Sequence, residues 1–326
     1  MTGCWGCSAR RKESDMLQVI TILLPIAVMI GVGVWCRASG FLTDAGIENI
    51  KKLVTKVILP VAIFHALSTA EYNAKTAVVV ALVFGVELMT FAAGFLLRRF
   101  LPEAYGKYIP FMVCLYEGGM IAYPLYANLC GSENLSRMAM LDIPGLLFGF
   151  SVYMGLLEEM ETGTKPSARN LIRDALRNPA FLASAAGVAF GLLGITKALL
   201  AGPLGQAYLA AQQLLTAPMT AMILLVVGYS LKPDITDWKP CLQTILLRLL
   251  VQAGAIGITV FGLKRLVPGD ELLILAVIIY MSAPATFSMQ SFLKSRQASA
   301  YAAAVGSIYV FISIAVYAIA AVLLTH

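Results

Sequence analysis

Two carboxylates lie deep within long apolar runs and are the first candidates for chemistry. Glu87 and Glu117 each stand near the centre of such a run. A bare carboxylate among apolar groups is costly, so each is expected to face the protein interior or water. Loss of hydration disfavours the charged form, which is the usual setting of a group that carries a proton or binds a cation.

Glu117 adjoins two features that break helices, the pair Gly118-Gly119 and, seven residues on, Pro124. A second run, Ser282 to Ser291, combines Pro284 with hydroxyls and an amide. Glycine and proline together destabilise a helix interior by several kcal/mol, roughly. Unwound backbone at depth is tolerated where it lines a cavity, and half-helix N-termini favour anions. The predicted substrate- or ion-binding residues are Glu117, Gly118, Gly119, Tyr123, Pro124, Ser282, Pro284, Thr286, Ser288 and Gln290.

Other ionisable residues are expected to support this site. Glu87, Asp142 and Lys56 are predicted to be buried polar residues near it. Lys56 and Arg248 fall within two turns of the ends of their apolar runs. Both are therefore expected to extend their charged groups to the boundary between the apolar region and water. No Ser–His–Asp set, metal-ligand cluster or phosphate-binding loop is evident, and the lone pair Cys4 and Cys7 lacks further ligands. We therefore predict neither an enzyme nor a metal or cofactor, with coupling to H⁺ or Na⁺ left open.

The composition explains why these residues must be positioned by membrane helices. Hydrophobic residues make up 59% of the 326 residues and charged residues only 13%. A soluble domain has about 25% charged residues. This excludes a soluble enzyme, a disordered chain and a nucleic-acid binder, and it indicates a polytopic membrane protein in a lipid bilayer.

Ten apolar runs are long enough for helices, whereas a membrane strand needs only about 9–11 residues. The predicted spans are 16–36, 53–70, 75–97, 108–129, 138–157, 179–200, 207–231, 241–263, 272–293 and 300–324. Connections between them are short, so no loop is expected to fold alone.

Proline positions indicate an internal repeat. Pro60 and Pro218 are 158 residues apart, and Pro124 and Pro284 are 160 apart. Each copy contains five spans. Because five is an odd number, the second copy begins on the opposite side of the membrane and must be inverted, as in many secondary transporters. The predicted organisation is a tail (1–15), a first five-helix repeat (16–157), a loop (158–178) and a second repeat (179–326), an all-α fold with crossed, broken spans 4 and 9.

Lys and Arg indicate the orientation. The odd-to-even loops (1–2, 3–4 and so on) hold 14 of them, and the opposite side holds 8. This bias predicts a multi-pass protein of the cell membrane with both termini outside and loop 158–178 in the cytoplasm. The cluster Arg10-Arg11-Lys12 opposes that orientation unless translation begins at Met16.

Several motifs together resemble the auxin efflux carrier family of bacterial and plant transporters over nearly all of residues 16–326. The pieces are Leu24-Pro25, Gly31, Gly33 and Gly40-Phe41-Leu42 in the first span, then Val57-Ile58-Leu59-Pro60 and Phe64, Pro124-Leu125, Arg177-Asn178-Pro179, Gly187, Gly194-Ile195, Ala217-Pro218, Gly228-Tyr229-Ser230-Leu231 and Ser282-Ala283-Pro284. Their order and spacing are more specific than any piece alone.

The resemblance implies a scaffold of spans 1, 2, 6 and 7 and a mobile bundle of spans 3–5 and 8–10 that moves like an elevator. It implies small organic-anion substrates such as malonate, malate or auxin, and a homodimer through the scaffold helices. The family usually has a small polar residue, commonly Asn, where this chain has Glu117. A carboxylate there repels an anion unless it is protonated or holds a cation.

We therefore predict a secondary carrier for small organic anions, with proton coupling favoured. The alternative is a sodium-coupled symporter of the similar bile-acid type, whose glutamine-bearing crossover resembles Ser288-Met289-Gln290. A membrane sensor and a channel are less favoured, because the chain has neither a signalling domain nor a recognisable ion filter.

Overall fold

The computed structural model describes residues 5–164, 167–231, 238–287, 289 and 292–324, and these form an all-helical protein, as predicted. The helices of the first half are α1 (Trp5–Ala38), α2 (Asp44–Leu53), α3 (Leu59–Ser68), α4 (Ala74–Leu97), α5 (Glu103–Gly106), α6 (Ile109–Cys114), α7 (Tyr123–Cys130), α8 (Leu135–Phe148) and α9 (Met154–Thr162). Those of the second half are α10 (Ala168–Arg177), α11 (Pro179–Leu192), α12 (Ile195–Ala201), α13 (Gly205–Thr216), α14 (Met219–Ser230), α15 (Trp238–Leu266), α16 (Glu271–Met281) and α17 (Arg296–Leu324).

Short irregular turns interrupt several of these helices. Wide, π-helical turns cover Val54–Ile58, Gly118–Ala122 and Gly149–Tyr153. The first joins α2 to α3, the second leads into α7, and the third joins α8 to α9. Tight 3₁₀ turns cover Arg98–Phe100 and Ser132–Asn134. Such turns are typical of functional regions of helices.

Five helical stretches of the described residues are long and apolar enough to cross a membrane, or six if α11 and α12, bent by 69°, form one span. The predicted ten-span topology therefore stays a prediction. Two predicted boundaries are wrong. Span 9 (272–293) is helical only to Met281, and span 6 (179–200) breaks at Leu193-Gly194, where Gly194 adopts a φ of +68°. A left-handed residue ends an α-helix, which favours glycine there.

Local sequence sets several helix starts. Asn178 accepts a hydrogen bond from the Phe181 N–H (3.0 Å) and is followed by Pro179, so it caps α11. Asn73 caps α4 in the same way through the Thr76 N–H (3.1 Å). Side-chain acceptors at this position satisfy backbone donors that a helix leaves unpaired.

Two helix pairs pack especially closely. α1 crosses α14, and α3 packs along α11. At the first crossing a Cβ added at Gly33 would lie 2.3 Å from the Leu225 carbonyl oxygen. At the second, a Cβ at Gly191 would lie 2.8 Å from the Leu67 carbonyl oxygen. Glycine is therefore required for the approach of the backbones at both crossings.

Candidate functional site

The helical run that contains Glu117 is broken. α6 ends at Cys114, residues 115–117 are not helical, and a π-helical turn at Gly118–Ala122 leads into α7. Pro124 is in the first turn of α7, where its missing N–H costs no hydrogen bond. The break therefore begins before the two glycines, and the proline marks the start of the second half-helix.

A second break faces the first. α16 ends at Met281, and Pro284 follows within a segment that is not helical. The Glu117 N–H donates to the Pro284 carbonyl oxygen over 2.8 Å. The structure therefore brings together the two irregular segments that the sequence singled out.

The Glu117 carboxylate joins the two breaks. Its Oε1 accepts from the Met120 N–H (3.2 Å), and its Oε2 accepts from the Phe287 N–H (2.7 Å). The first donor belongs to the N-terminal turn of the Gly118–Cys130 segment, where the helix dipole favours negative charge. Two backbone donors that an anionic ligand would need are thus taken by the protein's own carboxylate.

Arg248 contradicts the sequence prediction. Its charged group was expected to reach the membrane–water interface, yet its side chain is 0% exposed. Its guanidinium donates to the carbonyl oxygens of Met112, Leu115 (3.2 Å) and Ala283 (2.8 Å). These carbonyls lack helical partners because both helices end there, so the guanidinium supplies hydrogen bonds and a positive charge to them, while its Nε has no hydrogen-bond partner among the described residues.

Glu87 is also fully buried, at 0% exposure, and neither carboxylate oxygen has a hydrogen-bond partner among the described residues. It lies close to Gly145: a Cβ added at this glycine would be 3.2 Å from Glu87 Oε1 and 2.8 Å from the Tyr280 hydroxyl. That hydroxyl donates to Asp142 Oδ1 over 3.0 Å. Glu87, Tyr280 and Asp142 therefore form a polar group beside the break.

A cavity of about 340 Å³ opens beside Glu117. This is within the range of small-molecule sites, about 300–1,000 Å³. Its polar and charged side chains are Lys51, Thr55, Lys56, Tyr116, Glu117, Asp142, Asn178, Tyr280 and Thr286. Both charge signs are therefore present, with two lysines from the α2–α3 segment and two carboxylates.

The predicted site residues divide into three sets. Glu117, Gly118, Gly119, Thr286, Asp142 and Lys56 line the cavity. Tyr123, Pro124, Ser282 and Pro284 are buried in or next to the breaks, outside the lining. Ser288 and Gln290 lie outside the described residues, as does Cys4. Lys56 was predicted to be buried and is instead exposed, although it lines the cavity; a long lysine side chain can contact a cavity and keep its charge in water.

Sequence reasoning missed the role of Arg248. Among the polar lining residues it missed Lys51, Thr55, Tyr116, Asn178 and Tyr280. Asn178 was quoted only as part of a family motif, although Asn-Pro is a recognisable helix start. Lys51 was counted only for orientation. The burial of Arg248 has no signal in sequence, because its partners are backbone atoms more than 30 residues away.

The fold and the cavity define a multi-pass helical membrane protein with a polar site between broken helices. A family model described as "membrane transport protein" matches residues 18–324. The chain therefore belongs to this family, the auxin efflux carrier family, whose members are transporters and not enzymes. No curated protein matches the chain at a significant level.

Proposed function

We propose that this membrane transport protein is a secondary active carrier of small organic anions such as dicarboxylates. The observation that carries the proposal is the cavity at the two breaks, which has Lys51 and Lys56 among its lining residues. Two lysines can pair with the carboxylates of a small anion. The cavity wall also contains Asn178 and Thr286, side chains that can supply directional hydrogen bonds.

The proposed topology is ten spans in two inverted repeats, as residues 16–157 and 179–326. Gly33 and Gly191 support it, because they are 158 residues apart, the offset between Pro60 and Pro218. Each glycine allows one close helix crossing, α1 with α14 and α11 with α3. Exchange of the two repeats converts one crossing into the other.

The same packing supports an elevator mechanism. In this proposal α1–α3 and α11–α14 form the scaffold, and the spans from α4 to α9 and from α15 to α17 form the mobile bundle. Hydrogen bonds join helices within the bundle, from Asn128 to Tyr317 (2.8 Å) and from Tyr126 to the Leu272 carbonyl oxygen (3.2 Å). An apolar core that contains Phe91, Phe148 and Tyr309 also lies wholly within the bundle. Such a unit can move without internal rearrangement.

Proton coupling is proposed through Glu87 and Asp142. A fully buried carboxylate without a protein partner is stable only with a proton or a counter-ion. Glu87 is in that situation, whereas Glu117 is paired with two backbone N–H groups. Glu87 is therefore a better proton carrier than Glu117, to which the sequence alone had assigned this role.

The test is uptake of a panel of radiolabelled carboxylates into proteoliposomes under imposed proton, sodium or voltage gradients. We expect uptake of at least one small dicarboxylate that is driven by a proton gradient. Glu87→Gln keeps the size of the side chain but cannot exchange a proton, so uptake should persist and lose its dependence on the pH gradient. Glu48→Gln, at an exposed position of α2, is the matched control.

Two outcomes would contradict the proposal. Absence of uptake for every carboxylate, with the protein correctly reconstituted, would reject organic-anion transport. Wild-type dependence on the pH gradient in Glu87→Gln would remove Glu87 from coupling while leaving transport intact. The proposal also includes the cell membrane as location, outer termini and a homodimer through the scaffold helices.

A further inference from the structure

The two breaks leave carbonyl groups as well as N–H groups without helical partners. α6 ends at Cys114 and α16 ends at Met281, and both ends point into the protein. The C-terminal end of a helix carries the equivalent of roughly half a negative charge. Two such ends that meet in a buried place require a positive charge nearby.

Arg248 supplies this charge from α15. Its guanidinium bonds to carbonyls at the end of α6, those of Met112 and Leu115, and to the Ala283 carbonyl beyond α16. Three carbonyl oxygens from two interrupted helices thus surround one cation. In secondary transporters the same kind of donor set, unwound backbone and half-helix C-termini, coordinates a dissociable ion such as Na⁺.

The guanidinium is also surrounded by aromatic rings and an amide side chain. Its central carbon lies 5.0 Å from the ring centre of Tyr309 and 5.6 Å from that of Tyr116, which are favourable distances for a cation over aromatic faces. Gln252, one turn later on α15, donates to the same Ala283 carbonyl oxygen over 3.1 Å. Within the described part of the chain no carboxylate lies within 4.0 Å of Arg248.

We propose that Arg248 is a tethered cation, fixed where the carbonyls of the crossed breaks would otherwise bind a free monovalent cation. This rests on the proposed function, since it concerns which ion drives the carrier. A permanently attached guanidinium cannot be exchanged with either compartment. The crossover therefore contributes no sodium coupling, and Arg248 determines ion specificity without contact with the substrate.

Removal of the guanidinium should convert the place into a site for a free cation. In Arg248→Ala the three carbonyls are left without a positive partner, and the lost side chain leaves space for Na⁺. The purified variant should unfold at a lower temperature than wild type in choline chloride. Its midpoint should rise saturably with NaCl at constant ionic strength, by roughly 5 °C at a hundredfold excess over the dissociation constant.

The controls separate this effect from general salt effects. The wild-type midpoint should be equal in NaCl and choline chloride. Arg265→Ala removes an exposed arginine from the end of the same helix and should behave as wild type. Arg248→Lys keeps the charge and should be folded and insensitive to sodium, which makes it informative even if Arg248→Ala does not fold.

Three results would overturn the proposal: a saturable, sodium-specific stabilisation of the wild-type protein, a folded Arg248→Ala variant without a response to sodium, or a sodium requirement in Arg248→Lys. These measurements do not depend on transport. If the stability pattern is as expected while no carboxylate is taken up, the proposed substrate is wrong and the role of Arg248 stands.

Discussion

At the scale of single residues, the charges at the crossover are best explained by the backbone that surrounds them. Glu117 was recognisable from sequence as the unusual charge beside a helix break, and as a group in need of a proton or a cation. The structure gives it two N–H donors instead, from Met120 and Phe287. This pairing has no signal in the sequence, because Phe287 is 170 residues away along the chain and contributes only a main-chain atom.

Glu117→Gln tests this pairing. One oxygen of the amide still accepts from one N–H, but the amide NH₂ faces the second donor, so one hydrogen bond and the favourable charge are lost. We expect a loss of about 1–3 kcal/mol in the free energy of unfolding. Thermal unfolding in detergent measures it, with Glu48→Gln on the surface of α2 as control.

The alternative role of Glu117 as proton carrier predicts a different result. In that case Glu117→Gln imitates the protonated form, so stability is retained and uptake loses its dependence on the pH gradient. A variant as stable as wild type and without pH-gradient dependence would therefore contradict the pairing with the backbone and restore Glu117 to the coupling mechanism.

At the scale of helices, the sequence predicted the positions of helix breaks better than the positions of helix ends. Both proline-containing breaks are present, and they are joined by the hydrogen bond from Glu117 to Pro284. The end of α16 at Met281 was missed, since the apolar run continues beyond it. Hydropathy reports which residues avoid water, whereas the end of a helix inside a protein depends on partners for its free carbonyls.

Gly33→Ala tests the helix crossing that was assigned to the scaffold. The new methyl group would lie 2.3 Å from the Leu225 carbonyl oxygen of α14, so the two backbones must separate. Overpacking of this kind costs roughly 1–3 kcal/mol, and the unfolding temperature should fall accordingly. Gly31→Ala, two residues away on α1, has no atom within 4 Å of the new methyl and should be neutral or slightly stabilising. Equal effects of the two substitutions would contradict the close crossing.

At the scale of the whole molecule, the two proposed repeats would carry opposite charges at related positions. Glu87 and Arg248 are 161 residues apart, close to the offsets of 158 and 160 between the prolines. Each is fully buried in the third predicted span of its repeat, on α4 and α15. Proline spacing alone predicts the repeat, which stays a prediction. The sequence does not show that Glu87 and Arg248 are both fully buried, because burial is defined only by the folded chain.

The proposed inverted repeat makes a prediction about the two sides of the membrane. Five predicted spans separate Glu71 from Lys239, so the two residues should lie on opposite sides. Both are exposed, which makes them suitable for single cysteines after the six native cysteines are replaced. A membrane-impermeant maleimide should label Glu71→Cys in intact cells, and Lys239→Cys only after permeabilisation, because the Lys and Arg bias places the loop at 71 outside. Labelling of both from the same side would mean an even number of crossings between them and would exclude the inverted repeat. The reverse pattern would keep the repeat and invert the orientation, and it would place loop 158–178 outside.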